Sequence, residues 1–342
     1  MINRDLLNQA KNDKLKITVI GGGTGLPILL SGLKQANCEI TAVVTVSDNG
    51  GSSGSIRTSL NTIPPGDIRN CIVALSEVEQ IYKDIFQYRF APEDQEFSGH
   101  AIGNLIIAAL AEMRGDVFSS LRLLSAMMKV KGRVLPAAEE PLVLRAHYND
   151  GQTIDGETEI VGQRRPIDRV SVHCMPGSPC QDRKPQAGRQ VVSAIREADL
   201  IVLGPGSLYT SILPNLVIED IRQAVLESPA KVVYICNIMT QLGETEHFSD
   251  ADHVRVINDH LQAKRIDYAL INKAPVPYEY MESDLTPEYL VQVERDRAGI
   301  LQEEAQIVAA DFLDLRETGV YHDQDKLVET ILRLYEADKG FE

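Results

Sequence analysis

No apolar run in this 342-residue chain is long enough to span a bilayer; the longest, Leu105 to Ala111, stops far short of that length. Positive charge is also scarce. With 34 basic against 49 acidic residues the formal charge is −15, and such a field repels a polyanion, which excludes DNA or RNA as the main partner. The small basic groups, Lys129, Lys131 and Arg133, and Arg164 and Arg165, read as solvated surface. Cysteines are few, odd in number and scattered: Cys38, Cys71 and Cys236 lie in or beside apolar segments, where a reduced thiol packs as a small hydrophobe. Cys174 and Cys180 lack the close spacing of a zinc-ligand pair. The first residues, Met1 to Lys16, have no apolar leader core, so a cytoplasmic location is expected. Internal repeats and low-complexity tracts are missing, which removes solenoids. No serine sits in a GxSxG elbow, and no Gly-Lys-Ser/Thr follows a glycine loop, so neither a hydrolase elbow nor a Walker A loop is supported.

What is present is a repeated corner. Short Ile/Val/Leu runs, Leu15 to Ile20, Ile40 to Val46 and Leu200 to Leu203, each lead into glycine-rich sequence: IGGGTG (Ile20 to Gly25), SDNGGSSG (Ser47 to Gly54) and GPGSL (Gly204 to Leu208). Runs of that composition are how strands buried on both faces of a parallel sheet read. Glycines past the carboxyl end of such strands let backbone N–H groups reach an oxygen-rich ligand. A phosphorylated ligand is the expectation.

Helical signals alternate with these strands, from about Pro27, near 68–77, 101–114 and 116–129, and again at 187–197, 218–227 and 250–262. Further strands are expected at 199–203, 231–236, 266–271 and 305–310, with a final amphipathic helix at 323–337. Alternation of this kind implies crossover connections and an α/β fold: a three-layer αβα, Rossmann-like arrangement with a mainly parallel sheet. Between about 139 and 175 the character turns to β, with Asp150-Gly151 marking a hairpin between LVLRAHY and QTIDGETEIV. We expect a single domain over 14–338 carrying an antiparallel β-hairpin insertion, preceded by a flexible segment 1–13. The proline-rich stretch after Lys273 reads as an irregular loop.

Each corner has a plain structural reading beside the ligand-binding one. IGGGTG is not a dinucleotide fingerprint, because Leu26 occupies its third glycine position; it is either a tight turn or a contact made by Gly22, Gly23, Thr24 and Gly25. In Ser47, Asp48, Asn49, Gly50, Gly51 and Ser52, Asp48 is a cation ligand, a ribose acceptor or a helix cap. In PPGDIRN, Asp67 caps the next helix or serves a site. His100 and Asn104 of SGHAIGN fall four apart on one helix face, with Gly103 weakening that helix without a packing gain. Gly204, Gly206, Ser207 and Leu208 repeat the first corner, with helix N–H groups and the hydroxyls of Thr210 and Ser211 offered to phosphate. Asn237, Thr240, Gln241 and Glu244 follow the strand KVVYIC as polar groups at the same sheet edge.

Taken in order, IGGGTG, SDNGGSSG, PPGDIRN, GHAIGN, GPGSLYTS and NIMTQLGET resemble the YvcK/CofD-like family, and more closely its YvcK branch, the gluconeogenesis factors, from about Lys16 to the terminal helix. That resemblance implies a cytoplasmic protein that binds a UDP-sugar, UDP-N-acetylglucosamine or UDP-glucose, and acts in carbon metabolism and cell shape during gluconeogenic growth. The CofD branch implies instead a transferase moving a phospholactyl group from a guanosine diphosphate derivative, with Mg2+ on Asp48 and His100 near the reacting phosphoryl oxygen. No other cofactor is implied, and homo-oligomerisation is left open. Two positions depart from the family pattern: Asn49 replaces a second acid, and Tyr321 stands before His322-Asp323 where the branch has arginine.

Overall fold

The computed structural model describes residues 14–91, 97–281 and 289–339; the segment 1–13 lies outside them. The first half runs β1 (Leu15–Gly21), α1 (Gly25–Leu33), β2 (Cys38–Val44), α2 (Gly51–Leu60), α3 (Gly66–Leu75), α4 (Gln80–Gln87), α5 (Ile102–Arg114), α6 (Val117–Met127) and β3 (Arg133–Pro136). An insertion follows: β4 (Leu142–His147), β5 (Thr153–Asp155), α7 (Glu157–Gly162) and β6 (Arg169–Cys174). The chain then makes α8 (Arg189–Arg196), β7 (Leu200–Leu203), a π-helical turn Leu208–Ile212 running into α9 (Leu213–Leu216), α10 (Glu219–Glu227), β8 (Lys231–Ile235) and β9 (Met239–Gln241). It ends with α11 (Asp250–Leu261), β10 (Tyr268–Asn272), β11 (Tyr289–Gln292), α12 (Arg297–Gln302), β12 (Gln306–Ala310), β13 (Leu313–Arg316), β14 (Gly319–His322) and α13 (Gln324–Lys339).

Seven strands form one sheet in the order β12-β10-β8-β7-β1-β2-β3, with every pairing parallel. All four residues of β7 are buried, as the apolar run requires of a central strand covered on both faces. One apolar core extends from Leu15 to Ile331 along the sheet and the helices against it. The α/β reading with a mainly parallel sheet is therefore the observed class.

Four local expectations change. The strand β3 was not among the expected elements: Arg133 opens it with its side chain exposed, paired with Thr41 of β2, and Val134 to Pro136 are buried. In the insertion, β4 pairs antiparallel with both β5 and β6, so the Asp-Gly hairpin exists, but GETEIV turns into α7 rather than continuing the strand. Gly51 to Gly54, read as part of the glycine-rich corner after the second strand, are the first turn of α2. Gly103 has a packing role after all: a Cβ there would lie 2.6 Å from the Phe86 carbonyl oxygen and 2.8 Å from its ring, so glycine is what lets α4 and α5 meet. Cys174 and Cys180 form a disulfide across the turn that ends β6, while Cys38, Cys71 and Cys236 are free and buried.

Candidate functional site

Strand β1 is where the sheet changes direction. From it the chain builds outward through β2 and β3 on one side and through β7, β8, β10 and β12 on the other, and ligand crevices of open α/β sheets form outside the carboxyl ends of strands at such a reversal. A pocket opens there. One wall is the β1 corner, Gly23, Thr24, Gly25 and Ile28, and the facing wall is the β7 corner, Pro205, Gly206 and Ser207. Asn237, Ile238, Met239 and Gln241 close a third side, and Val320, Tyr321 and His322 of the β13–β14 hairpin close the fourth. The walls touch through main chain: a Cβ on Gly25 would fall 2.9 Å from the Pro205 carbonyl oxygen, and the Gly204–Pro205 bond is cis.

Internal carboxylates already occupy part of each corner. Asp67 accepts from the Gly23 N–H at 2.6 Å, Asp48 from the Gly50 N–H at 2.7 Å, and Glu244 from the Tyr209 N–H at 3.1 Å and the Thr210 hydroxyl at 3.3 Å. Of the donors after Ser207 expected to meet phosphate, the Tyr209 N–H and the Thr210 hydroxyl are thus spent on Glu244. Burial pushes Asp67 up to about 6 against the pull of the Gly23 N–H. Glu244 is pushed by burial to about 7. Glu157 is also raised, by burial first and then by the neighbouring Asp48, Glu244 and Asp67.

The far side of the pocket is neutral and hydrogen-bonded. Asn237 Nδ2 donates to Gln241 Oε1 at 2.9 Å, and Gln241 Nε2 donates to Ser207 Oγ at 2.8 Å. Since Ser207 Oγ accepts within the protein, its own proton is available to an acceptor in the pocket. His322 Nε2 lies 3.1 Å from the Cys236 carbonyl oxygen, and a carbonyl can only accept, so Nε2 holds the ring proton and Nδ1 is left as an acceptor. Burial lowers His322 to about 4, which keeps the ring neutral. The Arg316 guanidinium stacks 4.8 Å above the Tyr321 ring.

The β2 corner makes a second cluster. Ser47 is buried against Thr45 at 3.1 Å. Asn49 bridges to the insertion, donating to Glu159 Oε2 at 2.7 Å and accepting from the Thr158 N–H at 3.1 Å. The buried Arg57 guanidinium donates to the carbonyls of Ser47 and Asp48. Ser52 Oγ lies 3.0 Å from His100 Nδ1, and Asn104 Nδ2 donates to the same hydroxyl at 3.0 Å. The α5 helix begins at Ile102, so His100 precedes it rather than sharing its face with Asn104; the two converge through Ser52.

Of the residues singled out from sequence, Gly23, Thr24, Gly25, Gly206, Ser207 and Asn237 line the pocket. Gly22 and Leu208 are buried behind it, Gly204 is buried at the end of β7, and Thr240 is engaged with the Val291 backbone. Ser47 to Ser52, His100 and Asn104 belong to the second cluster. Gln241 and Glu244, read from sequence as polar groups at the carboxyl end of the KVVYIC strand, prove to organise the site through Ser207 and the Tyr209 N–H, and His322, noted only for the Tyr321 that precedes it, lines the pocket. Among the described residues no three His, Cys, Asp or Glu side chains converge as a metal set, and Asn49 is turned toward the insertion, so a magnesium ion on Asp48 would draw the rest of its shell from ligand oxygens and water.

A parallel sheet of this order with glycine corners meeting at its reversal point defines a Rossmann-like α/β protein with a crevice at the carboxyl ends of its strands. The sequence pattern of the CofD family, 2-phospho-L-lactate transferase CofD, matches residues 17–313, and the chain belongs to that family. Within it, the chain is 44% identical over 325 residues to a Listeria innocua protein named gluconeogenesis factor, covering 95% of this chain and 97% of that one. A Bacillus halodurans protein of known crystal structure superimposes with a TM-score of 0.88 at 38% identity, covering 94% of this chain and all of that one (100%). No described helix is long and apolar enough to cross a membrane.

Proposed function

We propose that this protein is a cytoplasmic regulator of the gluconeogenesis-factor type that binds a UDP-sugar, UDP-N-acetylglucosamine or UDP-glucose, in the pocket between the β1 and β7 corners, and so couples carbon metabolism and cell shape to gluconeogenic growth. The observation that carries this reading is the relay Asn237–Gln241–Ser207, which leaves a hydroxyl donor beside the main chain of Gly206 and across from Gly23 to Gly25. Thr24, Gly25, Gly206 and Ser207 take the diphosphate. Asn237 and the neutral acceptor face of His322 read donors of the base or sugar, which a charged imidazole could not do. With Asp67 and Glu244 holding the inner N–H groups, the diphosphate sits toward the outer rim.

A thermal-shift screen with UDP-N-acetylglucosamine, UDP-glucose and GDP tests this. A ligand at about 100 times its dissociation constant adds about 2.7 kcal/mol of stability. A shift with a uridine sugar supports the reading; none with either uridine ligand overturns it. Magnesium-dependent consumption of a guanosine diphosphate donor would support the transferase reading instead.

A further inference from the structure

The contact between Ser52 and His100 is not used by the pocket chemistry above. Ser52 is the second residue of α2 and is half-buried, as is His100. A serine hydroxyl has one proton and two acceptor positions. Arg69 Nη1 donates to Asn104 Oδ1 at 2.9 Å, which fixes that amide so that its Nδ2 faces and donates to Ser52 Oγ. If His100 Nδ1 also donated, Ser52 would accept twice and its own proton would find no partner among the described residues. The satisfied arrangement has the Ser52 proton directed at the Nδ1 lone pair of His100 while Asn104 fills one acceptor position of the hydroxyl, and a hydroxyl donating to an imidazole is the nucleophile–base contact of an activated nucleophile.

A second serine–histidine contact sharpens the point. Ser171 Oγ and His147 Nε2 lie 2.8 Å apart on the insertion sheet, yet among the described residues no side-chain amide donates to Ser171 as Asn104 does to Ser52. Beside His100 there is also exposed positive charge: the Arg89 guanidinium donates to the carbonyl of Gly99, the residue before it.

We propose that Ser52 is a nucleophile, with His100 as its general base and Asn104 as a positioning residue, for a phosphorus electrophile of the phosphoric ester or anhydride class. The Ser52 Oγ lone pair forms the new O–P bond while the hydroxyl proton passes to His100 Nδ1. The P–O bond to the leaving group breaks with its electron pair, and the leaving oxygen recovers the proton from His100. Water then attacks the phosphorus as His100 takes its proton, the Ser52 Oγ–P bond breaks with its electron pair on Oγ, and His100 returns the proton to that oxygen, which restores the hydroxyl and releases the phosphate. This step is independent of the nucleotide-sugar reading.

The test is covalent labelling of the full chain with an alkyl fluorophosphonate, in which fluoride is the leaving group, followed by intact-mass and peptide mapping. One adduct is expected, on Ser52 and not Ser171, absent in Ser52→Ala and formed at least 100-fold more slowly in His100→Gln. Asn104→Asp keeps a partner for Arg69 but accepts the Ser52 proton in place of His100, so labelling should slow about tenfold, while Asn104→Gln, which still carries an amide donor, restores part of the rate. Thermal melting of each variant separates loss of chemistry from loss of fold, and mapping of the wild-type adduct decides even where a variant melts early. No adduct while a serine esterase in the same tube is fully labelled, an adduct on Ser171, or wild-type labelling in His100→Gln overturns the proposal.

Discussion

The corners after β1 and β7 and the corner after β2 are written in the same residues, an apolar strand followed by glycines and hydroxyls, but they are put to different ends. At β1 and β7 the glycines bring main chain against main chain, Gly25 against Pro205, and the exposed chemistry is backbone and neutral amide. At β2 the glycines start a helix, and the chemistry belongs to side chains: Asp48 on Gly50, Asn49 on the insertion, Ser52 between His100 and Asn104. What separates them is the neighbour. The β7 corner faces β1 across the reversal point, whereas the β2 corner faces the inserted α7 and the start of α5.

The sharpest way to probe that difference is to add a methyl group to a glycine of the β2 corner. A Cβ on Gly54 would lie 1.9 Å from the Asn49 carbonyl oxygen, so Gly54→Ala should cost about 3 kcal/mol, at the upper end of overpacking effects, read by denaturant unfolding. Gly99→Ala, with nothing within 4 Å but φ of +71°, should cost only about 1 kcal/mol; equal costs at the two positions would contradict the packing argument.

Next comes pH. Glu244 is held at about 7 in the fold against an ordinary 4.5, so the folded state binds the proton more tightly than the unfolded chain. Stability from this group is full below the unfolded value and falls as pH rises toward 7, by about 3 kcal/mol at 1.36 kcal/mol per pKa unit. Asp67 acts in the same direction between its ordinary value and about 6. Melting curves from pH 5 to 8 should show this decline, and Glu244→Gln should flatten it; an unchanged slope would remove Glu244 as its source.

Side-chain changes in the pocket should have smaller effects. Gly25→Val, which drives a branched side chain at Pro205, should weaken a UDP-sugar at least 100-fold, about 2.7 kcal/mol, while leaving fluorophosphonate labelling of Ser52 intact. Tyr321→Arg should tighten a diphosphate ligand about tenfold, about 1.4 kcal/mol, by placing a guanidinium at the pocket rim. A loss of affinity there would mean that the diphosphate lies away from the hairpin.

The sheet was legible because buried parallel strands announce themselves as short aliphatic runs; β7 and β8 are bounded within a residue by LIVL and KVVYI. The strand β3 was hidden by Arg133, whose side chain bonds across to Thr41 at the sheet edge. The pocket's fourth wall was not legible as structure: β13 and β14 pair around a turn far along the chain, and only tertiary contact brings His322 to the Cys236 carbonyl. Nor could a sequence reveal that Asp67 and Glu244 take N–H groups of corners 44 and 35 residues away. The Ser52–His100 contact was invisible for the same reason, since a nucleophile elbow is only one way of bringing a hydroxyl to an imidazole.

Isothermal titration of UDP-N-acetylglucosamine into the full chain and into Gly25→Val, at matched protein concentration, tests the account most directly. The reversal-point pocket requires saturable one-site binding to the unaltered chain and its collapse in the variant. Heat of the same size and affinity from both proteins, or none from either, would contradict it.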